Sequence, residues 1–172
     1  MFKKGCYVGK FLPPHIGHLS VIDKALKECE RVLVVLAENP QYSKSLCDKT
    51  GFPYFSADKR IEWLKKHYKN YKNIEFVFFD EAGIEKGDLK TWSRKFKKQI
   101  KNIDAKYADE SYRYLNEKYF PECKFVPIDR DIINIHGSDI RNNRDKIKFM
   151  VPEGIEDVQN AIKSEIDIEK NI

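Results

Sequence analysis

The sequence predicts an α/β fold, a doubly wound and mainly parallel sheet with helices on both faces. Three observations lead there. Five short segments of strand character alternate with segments whose apolar residues recur at helical spacing, the pattern of repeated βαβ units. The segment Val32-Leu33-Val34-Val35-Leu36 is apolar at every position, as a strand covered on both faces of a parallel sheet requires. A loop containing glycine and proline follows the first strand directly, where such folds bind ligands beyond the carboxyl ends of their strands.

Taken in order, Phe2 to Val8 reads as the first strand, ended by Gly9. Leu19, Ile22, Ala25, Leu26 and Cys29 share one helical face, so Leu19 to Glu30 is expected to be a helix. Arg31 to Ala37 is the second strand. Glu38 to Phe55 contains Asn39-Pro40, Gly51 and Pro53, and reads as a loop. Ser56 is placed to cap the next helix, which contains Lys59-Arg60 and Trp63-Leu64. Trp63 reads as core, because Ile61, Leu64 and Tyr68 are its helical neighbours. The third strand is Ile74 to Phe79. Gly83 and Gly87 mark a further loop, in which Asp80-Glu81 reads as solvated acid rather than a metal site. Leu89 to Lys101 is expected to be helical, Ala105 to Ala108 a strand, Glu110 to Glu117 helical, and Cys123 to Ile128 the fifth strand. Gly137 opens a final region of short helices, and the charged tail after Ile162 is expected to fray. Residues 1–172 read as one domain, with a core over about 1–150 and a helical tail over 151–172.

The bulk properties agree. A chain of 172 residues is long enough to bury a real core. At 41% hydrophobic and 13% aromatic residues, it falls outside the disordered class. The net charge of +5 suits a protein that holds polyanions, and the phosphates of a small nucleotide suffice. Lysine runs such as Lys65-Lys66 and Lys97-Lys98 read as solvated helix faces. The aromatic-basic motifs of RNA-binding modules are missing, which argues against nucleic acid as partner. Cys6, Cys29, Cys47 and Cys123 form no Cys-x-x-Cys pair, so free thiols are expected rather than zinc. No apolar run approaches the ~20 residues of a membrane span. With no signal peptide in the sequence, a cytoplasmic location is expected; the sequence leaves a homo-oligomer open.

The informative segment is Gly9-Lys10-Phe11-Leu12-Pro13-Pro14-His15-Ile16-Gly17-His18. Gly9 allows a close turn past a ligand, and the two prolines stiffen the loop. His15 and His18, three apart at the start of a helix, share one face. Gly17 leaves room for a nucleotide against the backbone. The helix N-terminus offers amide donors and a dipole that favours anions. Two imidazoles and the mobile charge of Lys10 can stabilise charge building on phosphate oxygens, so no protein nucleophile is needed. The chain contains no Walker A loop.

These residues resemble the HIGH-motif nucleotidyltransferases, whose pattern Gly-x-Phe-x-Pro-x-His-x-Gly-His is met at every fixed position, Gly9, Phe11, Pro13, His15, Gly17 and His18. Ile135-His136-Gly137-Ser138-Asp139-Ile140-Arg141 is similar to the family's second motif, with His136 in place of a serine. His136 is read equally as a phosphate contact or a solvent-facing side chain. The nearest resemblance is to the NadR-type nicotinamide mononucleotide (NMN) adenylyltransferase domain. It is carried by Lys10, by Arg60-Ile61-Glu62-Trp63-Leu64, by Trp92 in the helix after the third strand, by Glu110 with Tyr112, and by Arg130 before the second motif.

The resemblance implies a Rossmann-like fold and a reaction in which ATP, with Mg²⁺ as cofactor, gives its adenylyl group to NMN, forming NAD and pyrophosphate. It implies catalytic roles for Lys10, His15, His18 and Arg141. It implies ligand contacts at Gly9, Phe11, Gly17, Gly137, Ser138, Arg130 and Trp92; Trp92 stacks on a pyridine ring or anchors its helix, with even weight on each. No protein metal ligand is expected, because phosphate oxygens and water hold the Mg²⁺. The kinase domain that often follows in NadR-type proteins is not expected in this chain. Two rivals stay open: a transferase using CTP or another phosphate acceptor, and a nucleotide sensor without turnover.

Overall fold

The computed structural model describes residues 1–129 and 133–171. Five strands, β1 (Phe2–Gly9), β2 (Cys29–Glu38), β3 (Ile74–Asp80), β4 (Ala105–Asp109) and β5 (Lys124–Ile128), form one sheet. Their order is β3-β2-β1-β4-β5, and every pairing is parallel. The chain winds outward from β1 through β2 to β3, then returns to the other side of β1 for β4 and β5. The direction reverses between β1 and β4, and a ligand crevice opens at such a switch.

Among the described residues, seven α-helices connect and cover the strands: α1 (Ile16–Glu28), α2 (Pro40–Thr50), α3 (Ala57–His67), α4 (Leu89–Gln99), α5 (Arg113–Tyr119), α6 (Gly137–Asn142) and α7 (Pro152–Lys170). The apolar run of β2 divides by its period of two between two cores. Val32, Val34 and Leu36 join Leu19, Ile22, Trp63 and Leu64 on one face. Leu33, Val35 and Ala37 join Cys6, Phe79, Phe96 and Phe120 on the other. The second layer also holds Lys106, whose ammonium lies 3.4 Å from the centroid of Phe120. Burial pulls the Lys106 pKa down and pushes the thiol of Cys6 up to about 12. All four cysteines are free and buried.

Three expectations change. The segment read as a loop from Glu38 to Phe55 contains helix α2. The residues that suggested a break are its caps: Asn39 Oδ1 accepts from the Gln41 amide, Pro40 occupies the first turn, and Gly51 closes the end at φ 67°. Helix α1 begins at Ile16 rather than Leu19, because His15 itself is the N-cap. The final region is not only short helices, since α7 runs 19 residues. Its first turns are docked on α3: Trp63 Nε1 donates to Asp157 at 2.7 Å, and a Cβ on Gly154 would meet the Trp63 ring at 2.7 Å. Beyond Ile162 the helix continues through Lys170 with its residues exposed, so the charged tail is helical.

Candidate active site

The loop between β1 and α1 is held by its carbonyls. A carbonyl away from water needs a donor, and here donors arrive from distant elements. Arg60 of α3 donates from Nη1 to the Lys10 carbonyl at 2.6 Å and to that of Phe11 at 3.3 Å. Arg141 of α6 donates from Nη1 to the Leu12 carbonyl at 2.6 Å. The Val151 amide, just before α7, donates to the Pro14 carbonyl at 2.9 Å, and His15 bridges to Met150. Phe11 sits at φ 51°, a costly region for a side chain with a Cβ. Its ring is 1% exposed and packs on Tyr7 and His18, which compensates that cost.

Arg60 is itself fixed from below. It is 1% exposed, donates from Nε to the Phe55 carbonyl, and lies 2.5 Å from the carboxylate of Glu38, which is fully buried at the end of β2. Tyr54 donates to the other Glu38 oxygen at 2.9 Å. The closest atoms of the ion pair are Arg60 Nη2 and Glu38 Oε2.

On this base stand the two histidines, with rings stacked at 3.7 Å and 28°. The Gly17 amide donates to His15 Nδ1 at 3.1 Å, and the His15 amide donates to His18 Nδ1 at 3.1 Å. An amide cannot donate to a protonated ring nitrogen. Each ring therefore accepts at Nδ1 and carries its proton on Nε2. The amides of His15 and Gly17 are thus engaged with the rings. A Cβ at Gly17 would come within 2.9 Å of the His15 ring, so this glycine serves the ring packing. At Gly9 a Cβ would meet the Phe11 ring at 3.1 Å. The crevice beside the rings is lined by Tyr7, His15, Gly17, His18, Asp129 and Ile135.

The second segment closes the other side. His136 is the N-cap of α6, its amide donating to Asp139 at 2.8 Å. Gly137 packs so closely that a Cβ would lie 2.7 Å from the Leu12 carbonyl. Ser138 is exposed in the first turn, one turn before Arg141. Burial disfavours the charge of Arg141, whose guanidinium reaches back to the first loop. Segments 129 residues apart are so joined by one hydrogen bond.

The remaining predicted residues lie further out. The Lys10 ammonium rests 4.6 Å from the centroid of Tyr42 in α2. Trp92 belongs to the opposite layer: it stacks on Phe96 at 4.8 Å, meets Phe79 edge-on, and donates from Nε1 to Glu81 at 2.6 Å. Arg130 lies outside the described residues. Glu110 pairs with Arg113 at the surface, an interaction that lowers its pKa. Sequence reasoning missed Glu38, Tyr54 and Tyr42. The signal for Glu38 was available, since a carboxylate that ends a strand buried on both faces needs a partner.

Residues 6–153 match the cytidylyltransferase-like family, and the chain belongs to it. It is a member of the HIGH-motif nucleotidyltransferase superfamily and is similar to NadR-type domains in sequence and structure. The phosphopantetheine adenylyltransferase of Clostridium botulinum (strain Langeland) is 38% identical over 83 residues, 48% of this chain and 45% of that protein. The trifunctional NAD biosynthesis/regulator protein NadR of Salmonella typhimurium is 26% identical over 148 residues, 81% of this chain and 36% of that protein. The chain thus spans less than half the length of these curated relatives. A NadR protein solved in complex with NR has the same fold, with a TM-score of 0.69 at 20% identity over 88% of this chain and 44% of that one. A putative nicotinate-nucleotide adenylyltransferase from Vibrio parahaemolyticus gives a TM-score of 0.56 at 15% identity, covering 92% of this chain and 99% of that chain.

Proposed function

We propose that this protein transfers an adenylyl group from ATP to the phosphate of NMN, releasing pyrophosphate and forming NAD. The observation that carries the reading is the stacked imidazole pair, each ring held by a backbone amide at Nδ1, set at the N-terminus of α1. A phosphate oxygen of the acceptor attacks the α-phosphorus in line. The bond from the α-phosphorus to the bridging oxygen breaks, and pyrophosphate leaves with its electron pair. His15 and His18 donate to phosphate oxygens on which negative charge grows. Lys10 and Arg141 add positive charge, and the exposed Ser138 hydroxyl adds a donor toward the terminal phosphates. Gly137 and Gly9 permit the close packing that brings the two loops together. Phe11 contributes as the support under His18.

Mg²⁺ fits this site as part of the nucleotide. Its ligands would be phosphate oxygens and water rather than a dedicated set of protein side chains. When bound, it neutralises charge on the departing pyrophosphate. No helix among the described residues is long and apolar enough to cross a membrane.

A second reading keeps the donor and changes the acceptor to 4′-phosphopantetheine. The 38% identical stretch supports it, and so does Trp92, whose ring is already engaged by Phe96 and Glu81. The NadR alignment, which covers more of the chain, favours NMN. The experiment is pyrophosphate release from ATP or CTP with Mg²⁺, using NMN, nicotinate mononucleotide and 4′-phosphopantetheine as acceptors. Turnover with ATP and NMN is expected. Turnover with 4′-phosphopantetheine alone would replace the acceptor, preference for CTP would replace the donor, and nucleotide binding without turnover on any acceptor would make the protein a sensor.

A further inference from the structure

The face of α3 that carries Arg60 also carries Trp63 and His67, at the spacing that brings helical residues into one stripe. Arg60 holds the first half of the loop between β1 and α1, through the Lys10 and Phe11 carbonyls. Trp63 and His67 reach the start of α7 instead. Trp63 Nε1 donates to Asp157, and His67 Nδ1 lies 3.1 Å and 3.0 Å from the two carboxylate oxygens of Glu153. A carboxylate accepts, so the imidazole donates from Nδ1 and is shared between both oxygens. The ring of Tyr68 meets the imidazole edge-on at 4.9 Å and braces it from the other side. Both members of the pair are partly buried.

The start of α7 in turn holds the second half of that loop. The Val151 amide donates to the Pro14 carbonyl at 2.9 Å, and Met150 pairs antiparallel with His15. Val151 is the N-cap of α7, yet valine has no polar atom with which to close a helix end. Glu153, in the first turn, ties that end to His67, as Asp157 ties the next turn to Trp63. One helix face therefore controls both ends of the loop: Arg60 directly, His67 by way of Glu153, Val151 and Pro14. The backbone at His15 lies at the end of that path, and its ring is oriented within the same turn by the Gly17 amide.

We propose that His67, through Glu153, is a positioning residue for the imidazole pair, holding the Pro14–His15 end of the loop in register while Arg60 holds the other end. Its effect on rate rests on the nucleotidyl-transfer reading, whereas the contact it controls, Val151 to Pro14, can be followed without turnover. A partly exposed pair that only stabilised α7 would change the melting temperature and leave the rate of the folded enzyme as it was. A pair that positions His15 changes the rate of the folded enzyme, because small displacements of a catalytic group cost far more in transfer than in binding.

The test follows hydrogen exchange at the buried Val151 amide in the full chain, beside pyrophosphate release from ATP with the acceptor that supports it. His67→Leu is expected to speed exchange at Val151 about five- to tenfold, with the Val35 amide in the middle of β2 changed by less than about twofold. It should lower kcat about fivefold while the KM for ATP stays within about twofold. His67→Asn places an amide donor near the position of Nδ1 and should return both exchange and kcat to within about twofold of the unmodified protein. Adding Glu153→Ala to His67→Leu should change neither much further, since the two act through one contact. Unchanged exchange at Val151, equal acceleration at Val35, faster exchange with kcat intact, a raised KM with kcat intact, or no recovery in His67→Asn would each overturn the proposal. Should the unmodified protein transfer no nucleotide to any acceptor, the reaction falls, and exchange at Val151 in these variants alone decides whether His67 holds the loop.

Discussion

Replacing Arg60 by methionine tests whether the phosphate loop is held up by a buried ion pair. The substitution keeps the length and apolar stem of the side chain and removes the guanidinium. Glu38 is then a fully buried carboxylate without its cation, and the carbonyls of Lys10, Phe11 and Phe55 lose donors. Removing one partner of a buried pair costs about 3–5 kcal/mol. A domain of this size has about 5–15 kcal/mol in total, and each kcal/mol moves its Tm by about 2–4 °C. Arg60→Met should therefore lower the Tm by about 6–20 °C. Salt should not change the difference, because the pair is shielded from solvent. The double variant Glu38→Leu with Arg60→Met removes the stranded charge, and should recover at least about 1 kcal/mol relative to Arg60→Met alone. It should not recover function, because the Lys10 and Phe11 carbonyls remain untethered. Urea unfolding of both variants, with pyrophosphate release measured below their midpoints, provides the assay. A loss under about 1 kcal/mol in Arg60→Met, or a double variant no more stable than the single, would refute the ion pair as the support.

Three further outcomes follow from the same geometry. His18→Ala removes one Nε2 donor and should lower kcat about 10²- to 10³-fold, read from pyrophosphate release, with far-UV circular dichroism unchanged. Gly137→Ala places a Cβ 2.7 Å from the Leu12 carbonyl, where backbone must shift; kcat/KM should fall about tenfold while the Tm changes little. Lys106→Met should raise the Tm at pH 7, because burial holds the folded lysine's pKa below its ordinary 10.5 and the charged form is the penalised one. The sign with pH follows: the unfolded chain binds the extra proton between the folded value and 10.5, so the Lys106 protein gains stability over that window and Lys106→Met does not. Melting curves of both proteins from pH 7 to 10.5 should show their difference shrinking as pH rises.

How much of this was legible in the sequence depended on distance along the chain. The imidazole pair was legible because its geometry is local: three residues, one helix start. The sheet was legible because β2 declares burial on both faces in five consecutive apolar residues. Helix α2 was hidden because Asn39, Pro40 and Gly51 are helix caps and loop residues with equal ease, and only the packing of Ser43 and Cys47 decides between them. A second reason for Gly17 was hidden for a similar cause. The sequence shows that a side chain is missing, whereas the neighbour it would strike, the His15 ring, belongs to the folded turn. The Glu38–Arg60 pair joins a strand end to a helix 22 positions later, and Arg141 meets Leu12 across 129. Neither pairing carries a local pattern.

That last contact has a bearing on how the protein becomes active. The loop that we propose meets the phosphates lies near the amino terminus, yet its Leu12 and Pro14 carbonyls wait for donors at Arg141 and Val151. During synthesis, β1 to β4 can emerge and pair while the loop between β1 and α1 still lacks both. Contacts between residues so far apart close late, because the chain between them must first be ordered. A nascent or truncated chain can therefore own both histidines and most of its sheet and still be idle, and catalytic competence becomes a readout of the finished chain.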